Sequence, residues 1–466
     1  MTQEVPALME GIILLIFSAA LVGCILSDTS ILIALTAGLI LFFFYGLKKG
    51  HSLREMLRFS SDGLRTTRNI LITLALVGVL TALWRLSGTI PFIVYHAAQF
   101  CHPSVILLAS FLLCCLISVL MGTSFGSAAT IGVICMTIAN SMGIPPIYSG
   151  GAILAGVYFG DRCSPISTSA LLVATLTGTD IFKNIAAMIK TAAIPFLATA
   201  VIYYALGLHL GTDTDIPAAP AVFAFFFNLH WLTLLPALLV LLLALFRIEV
   251  KHIMLCSIAA AAVIALTVQH MSIQEIFYAA VFGFHPDAPD LAALLRGGGI
   301  LSMVRVLSII CISSCYAGIF SGTGFLTNSQ RHITRLSRHI TPFGGILVTS
   351  ILTGLISCNQ TLAIILTRQL CQDAEPDAGR MAIHLENTAV VVTPLIPWSI
   401  ACSVVLAVIS APSAAVLLAC YLYFIPLWNY AVEWHKHSRR PPWHLRTLTN
   451  TKIFTNEKEP PAHTTH

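Results

Sequence analysis

The sequence predicts an all-α polytopic membrane protein with two inverted-topology repeats, whose broken or re-entrant helices meet near the bilayer midplane. Three observations lead there. Hydrophobic residues make up 57% of the 466-residue chain and charged residues only 10%, against about 25% charged in a soluble domain. The apolar residues come in blocks long enough to cross a bilayer, which takes ~20 residues as helix. The stretches before and after Gly207–Pro220 repeat similar features in the same order.

The blocks are Leu8–Leu26, Ile31–Leu47, Ile70–Trp84, Ala187–Leu206, Val222–Phe246, His252–Val268 and Ile300–Phe320. The alternating pattern of a membrane barrel is absent. The thirteen cysteines include Cys114, Cys115, Cys135, Cys311 and Cys315 inside apolar blocks, with no CxxC pair or metal spacing. They read as small apolar filler. Leu21-Val22-Gly23-Cys24 looks like a lipoprotein cleavage site. The residues before it carry Glu4 and Glu10 and no Lys or Arg, so the block reads as a retained span.

The net charge of +5 is not a nucleic-acid signal, because the positive residues cluster between spans. Lys48, Lys49, Arg54, Arg58, Arg65 and Arg68 fill one loop, against Glu55 and Asp62. Arg331, Arg335 and Arg338 fill another, and Lys436, Arg439, Arg440, Arg446, Lys452 and Lys458 lie in the tail. The positive-inside rule makes all three cytoplasmic. The Gly207–Pro220 linker has Asp213 and Asp215 and no Lys or Arg, so it faces outward. With both termini inside, the span number is even, ten or twelve.

The first half has a span ending in Leu86-Ser87-Gly88-Thr89, and the second has one ending in Phe320-Ser321-Gly322-Thr323. About 35 residues after each comes a polar break: Gly122-Thr123-Ser124, then Ser357-Cys358-Asn359-Gln360-Thr361. Each break is followed by an acid and then proline: Asp161 with Pro165, and Glu386 with Pro394 and Pro397. The span before Ser87 leaves a cytoplasmic loop, whereas the one before Ser321 enters one. The matching elements are therefore antiparallel, a plan in which sites form where interrupted helices from both halves meet. Chance recurrence of a Ser-Gly-Thr tripeptide is the alternative; order and orientation together favour the repeat.

Ser104–Gly160 runs 57 residues without Asp, Glu, Lys or Arg, too long for one span. It is interrupted at Gly122–Ser127 and at Gly143-Ile144-Pro145-Pro146. Non-helical backbone at membrane depth is tolerated only where protein or a wet cavity surrounds it. Gly122 and Gly126 could equally serve close helix packing; Thr123 and Ser124 between them favour a site. Asp161 follows the apolar Ala152–Gly160, and an ionisable residue at the bilayer centre costs roughly 2.5–3.5 kcal/mol on insertion scales. The neighbouring Arg162 allows another reading, a pair at the membrane surface. Pro165 disrupts a continuing helix and frees carbonyls near Asp161 and Ser164. A carboxylate with hydroxyls and carbonyls is a hard-oxygen cluster, suited to Na⁺ or H⁺. Glu386 precedes 46 uncharged residues, Asn387–Val432, broken by Thr393-Pro394 and Pro397. It is either the counterpart of Asp161 or a loop residue beside Asp373, Glu375, Asp377 and Arg380. Arg85, beside Trp84, is either an interfacial anchor or a counter-charge to a carboxylate substrate, a role also open to Arg162.

These residues resemble the NhaC family of sodium/proton antiporters, within the wider ion-transporter superfamily. The resemblance runs from about Ile72 to Asn429. Its marks are Trp84-Arg85-Leu86-Ser87-Gly88-Thr89-Ile90-Pro91, Gly122-Thr123-Ser124-Phe125-Gly126, Gly151–Gly160 leading into Asp161-Arg162-Cys163-Ser164-Pro165-Ile166-Ser167, and Leu395-Ile396-Pro397-Trp398. Their combination in this order is specific. The resemblance implies an inner-membrane carrier exchanging Na⁺ for H⁺; some similar proteins exchange organic acids, such as malate for lactate, with coupled ions. Three positions depart from the pattern. Thr168 stands where the family commonly has Asp, Asn387 follows Glu386 in place of Asp, and Ser399 stands in place of Asn. Two acids are thus replaced by neutral groups, which bears on coupling ion and stoichiometry more than on fold.

The expected mechanism is competition of Na⁺ and H⁺ at Asp161, supported by Thr123, Ser124 and Ser164, with Asn359, Gln360 and Thr361 adding neutral oxygens from the facing half. Ser87, Thr89, Glu386 and Thr393 complete the candidate set. The alternative is an organic-acid or amino-acid exchanger coupled to Na⁺ or H⁺. An intramembrane aspartyl protease needs two membrane aspartates, and Asp161 is the one strong candidate. The tail histidines (His435, His437, His444, His463, His466) are irregularly spaced and read as solvated. A channel is disfavoured by inverted halves meeting at broken helices. No cofactor is implied, only Na⁺ and H⁺ as transported ions, and no partner beyond a small substrate and the bilayer; oligomerisation stays open. The chain divides into N-terminal spans and basic loop (1–68), first repeat (69–206), external linker (207–220), connecting spans (221–299), second repeat (300–432) and basic cytoplasmic tail (433–466).

Overall fold

A computed structural model describes residues 29–100, 102–210, 219–246, 248–324, 341–357 and 359–438, with isolated positions between 12 and 24. The regular elements there are helices; the β pairing among the described residues is one isolated bridge, Phe284 with Gly297. The Arg331–Arg338 loop, Asp213 and Asp215 of the linker and the tail beyond Ser438 lie outside the described residues, as does most of Leu8–Leu26.

The helices that position the site are α1 (Ile31–Lys48), α2 (Leu53–Thr66), α3 (Arg68–Leu86), α4 (Ile106–Met121), α5 (Ser124–Ser141), α6 (Pro146–Cys163), α7 (Thr168–Thr177) and α8 (Ile181–Leu210). They continue with α9 (Val304–Thr323), α10 (Pro342–Ser357), α11 (Gln360–Leu370), α12 (Ala378–Asn387), α13 (Ile400–Val408) and α14 (Cys420–Ser438). By length and composition, five of the described helices can each cross a membrane. Two bent pairs raise this to seven: α2 with α3, at 46°, and Ala378–Leu395 with α13, at 56°. Five shorter apolar helices accompany them, and a count of ten or twelve spans would need these as well. The protein is a multi-pass membrane protein. α8 shows why: Phe182, Ile189, Leu197 and Val201 all point outward, a patch that water would penalise and lipid accepts.

One predicted block is interrupted. Val222–Phe246 is not a single span, because Ala219–Phe226 stops before Asn228 and the chain resumes helically only at Trp231. The backbone N–H of Asn228 donates to Gln269 instead of continuing the helix.

Close glycine packing joins α4 to α6. A Cβ on Gly156 would meet the Phe111 carbonyl oxygen at 2.7 Å, and one on Gly160 would meet the Ser118 carbonyl carbon at 2.0 Å. The Ser118 hydroxyl enters this contact. It accepts from the Gly160 N–H (2.9 Å) and shares its proton between the Gly156 and Cys115 carbonyls, each at 3.1 Å. This bridge ends one residue before Asp161. A second close approach, Gly63 against Gly318, seats α2 on α9.

Candidate functional site

Two helix breaks line one cavity of about 790 Å³. The first follows α4. Gly122 takes φ +63°, and Thr123 then caps α5 from an extended conformation (φ −145°, ψ 125°), its hydroxyl accepting from the Gly126 N–H. The second follows α10. Asn359 caps α11 with nearly the same backbone (φ −137°, ψ 128°), its side-chain oxygen accepting from the Thr361 and Leu362 N–H groups. Capping by Thr and Asn satisfies donors that a helix start otherwise leaves open. The short side chains at these breaks are therefore a local folding signal as well as a source of oxygens.

Asp161 lies between the breaks. It is buried, yet it lines the cavity with Thr123, Ser124, Asn359, Gln360 and Thr361. Gln360 Nε2 donates to Asp161 Oδ2 at 3.1 Å and to the Val390 carbonyl at 3.0 Å. One amide thus joins α11, α6 and the first half of the broken helix. Ser167 Oγ lies 3.4 Å from Oδ1.

The structure corrects the expectation that Pro165 leaves carbonyls free. α6 does stop at Cys163, but the Asp161 carbonyl accepts from the hydroxyls of both Ser167 and Ser169. Ser164 does not face the cavity; its hydroxyl donates to the Val119 carbonyl at 2.7 Å.

Arg162 and Glu386 are both completely buried. This removes the surface alternative for Arg162 and the loop alternative for Glu386, which sits in α12. The Arg162 guanidinium spreads over several elements: Thr191 Oγ1 at 3.0 Å, the Met188 carbonyl and the Tyr421 hydroxyl at 3.4 Å, the Glu386 carbonyl at 3.3 Å, and Asn387 Oδ1. The Glu386 carboxyl oxygens and Asn387 Nδ2 have no hydrogen-bond partner among the described residues.

Four expected participants lie elsewhere. Ser87 and Thr89 form a turn around Gly88 (φ +77°), share a hydroxyl–hydroxyl bond of 2.9 Å and do not line the cavity. Their second-half match, Ser321–Thr323, is the last turn of α9, with Gly324 as the left-handed residue, so the two tripeptides occupy different settings. Thr393 is buried in the broken helix, where its hydroxyl returns to the Ala389 carbonyl. Arg85 lines a separate cavity of about 400 Å³ with Thr137, Asn140, Ser141 and Ser410, and donates to the Thr81 carbonyl. Val408 borders both cavities.

Other contributors were not singled out in the sequence. Ser167 and Ser169 fix the Asp161 backbone, and Tyr158 ties α6 to α13 through the Ala401 carbonyl at 2.7 Å. The Ser167-Thr168-Ser169 run next to Pro165 was the available signal for the first two; a tyrosine in an apolar run carries none. Thr168, which departs from the family pattern, lines the cavity.

Interrupted helices around a cavity-facing carboxylate, in a chain that spans the membrane repeatedly, define a membrane transport protein. The chain belongs to the Na⁺/H⁺ antiporter family, whose model matches residues 2–177 and 156–428. It is 27% identical over 412 residues to the malate-2H⁺/Na⁺-lactate antiporter of Bacillus subtilis, covering 85% of this chain and 87% of that one. It is 28% identical over 349 residues to the Na⁺/H⁺ antiporter NhaC of Alkalihalophilus pseudofirmus, covering 73% and 76%. It is also 26% identical over 365 residues to the arginine/ornithine antiporter ArcD of Halobacterium salinarum, covering 75% of each.

Proposed function

We propose that this chain exchanges Na⁺ for H⁺ across the bacterial inner membrane by alternating access, with the cation held at Asp161 between the two helix breaks. The observation that carries the proposal is the placement of Asp161. Its carboxylate lines the cavity of about 790 Å³, beside hydroxyl and amide groups of both breaks. The matched caps Thr123 and Asn359 support reading the breaks as equivalent parts of two inverted repeats (69–206 and 300–432). Carboxylate, hydroxyl and amide oxygens suit a hard monovalent cation. The cavity wall includes Asp62, Gly63 and Thr67, next to the basic loop that the positive-inside rule places in the cytoplasm. The conformation is therefore read as inward-facing, with both termini inside. Val408, between the two cavities, marks the closed side.

The relatives' names favour one other solute class, small carboxylates or amino acids, for which Arg85 in the separate cavity would be the counter-charge. Proteoliposomes carrying an imposed pH gradient separate the two. Na⁺ alone should dissipate the gradient. A response that appears only when malate, lactate or an amino acid is added would replace the cation reading with the organic-solute one.

Gln360→Ala removes a hydrogen bond to a charged group, worth about 1.5–3 kcal/mol. In the same assay, the Na⁺ concentration for half-maximal exchange should rise roughly ten- to a hundredfold. An unchanged value would show that the bond is incidental to the cation site.

A further inference from the structure

We infer that the exchanged proton resides on Glu386 and not on the carboxylate that holds the cation, so that the two ions compete through charge and not through a shared oxygen. The inference rests on the exchange proposed above and assigns its two ions to different groups.

The two buried carboxyl groups have opposite surroundings. Asp161 lines the cavity and receives a donor from Gln360, which suits an ionised carboxylate. Glu386 does not line the cavity, is completely buried and has no hydrogen-bond partner on either oxygen among the described residues. An ionised carboxylate cannot be held that way without a large desolvation cost, whereas the neutral acid can. The groups that act on it electrostatically are Arg162 and Asp161, both from α6. Cys163, also on α6, senses its charge. Tyr421 of α14 reaches it only through Arg162. His384, on its own helix, packs on Phe343, and Lys183 and Lys190 of α8 are exposed.

Charge balance then couples the sites. Without a cation, Arg162 (+1), Asp161 (−1) and neutral Glu386 sum to zero. Asn387, which bonds Arg162, is neutral and changes nothing. A cation at Asp161 adds one positive charge to a buried cluster. Breaking the Glu386 O–H bond, with the electron pair left on the carboxylate and the proton passed to solvent, restores zero. One proton leaves for each Na⁺ bound, and exchange is electroneutral.

Proton release tests this. The purified full chain in detergent, in weakly buffered solution with a pH dye, is titrated with NaCl against choline chloride. Wild type should release about one proton per Na⁺ bound. Glu386→Gln should bind Na⁺ more weakly, release none, and show an affinity independent of pH. Continued release by E386Q would overturn the assignment. Absence of release by wild type would instead overturn the Na⁺/H⁺ exchange on which it rests. Should E386Q not fold, Glu386→Asp, which moves the acid by one methylene, reads the same point: the pH midpoint of release should shift, and an unchanged midpoint overturns the assignment.

Discussion

Asp161→Asn should abolish Na⁺-driven proton movement in proteoliposomes while the protein reaches the membrane at wild-type levels. The substitution keeps size and shape. The Gln360 amide can still donate to an amide oxygen at position 161, so the link from α11 to α6 has no steric reason to open. What disappears is the negative charge. With Asn there, nothing at the helix breaks carries the charge that draws a cation in, and the positive charge of Arg162 on the same helix remains. As a general scale, two unit charges about 4 Å apart interact by about 4 kcal/mol at an effective dielectric near 20. That alone is more than a hundredfold in affinity. Fluorescence-detected pH-gradient collapse, with membrane abundance measured in parallel, reads both quantities. Retention of even a tenth of wild-type exchange would remove Asp161 from the cation site.

Gly160→Ala should be a severely damaging single-methyl addition beside Asp161. The added carbon would lie 2.0 Å from the Ser118 carbonyl carbon and 2.2 Å from the Val119 nitrogen. Both are backbone atoms, so no rotamer change relieves the overlap. Either α4 and α6 separate, breaking the Ser118 bridge, or α6 rotates and carries Asp161 with it. Overpacking of this kind costs about 1–3 kcal/mol, occasionally more. A lower melting temperature in detergent and loss of most transport are expected together. A control is Gly178, where a Cβ meets nothing within 4 Å. Its φ of +65° strains any side chain, so Gly178→Asn, which tolerates that region, should leave transport near normal. A stable, active G160A protein would mean that the helix contact is looser than described.

Much of this architecture is visible in the residues because the bilayer imposes simple rules. Length and apolarity mark Ile31–Leu47 and His252–Val268 as helices, and both form. Pro394 and Pro397 require an irregular helix, and the 56° bend there follows. Gly122-Thr123-Ser124 marks a break because a glycine able to adopt positive φ precedes a residue able to cap. The same marks mislead where composition stands in for position. Ser87 and Thr89 look like Ser321 and Thr323, but one pair makes a turn and the other ends a helix, since helix termination depends on what packs beyond it. Pro165 does end α6, yet the carbonyl it exposes is taken by Ser167 and Ser169, two and four residues further on. That Gln360, and not Asn359 or Thr361, reaches the Asp161 carboxylate is a matter of tertiary register, which spacing along the chain does not encode. Burial of Arg162 was equally invisible, because its partners Thr191, Asn387 and Tyr421 come from three distant segments.

The central claim is that one cation and one proton exclude each other at a buried cluster built on Asp161. The pH dependence of the half-maximal Na⁺ concentration in proteoliposomes tests it most directly. Exclusion by protons requires that concentration to rise as pH falls, approaching on the order of tenfold per pH unit once the proton-bound form dominates. A half-maximal concentration that stays constant from mildly acidic to alkaline pH, with exchange intact, would contradict it.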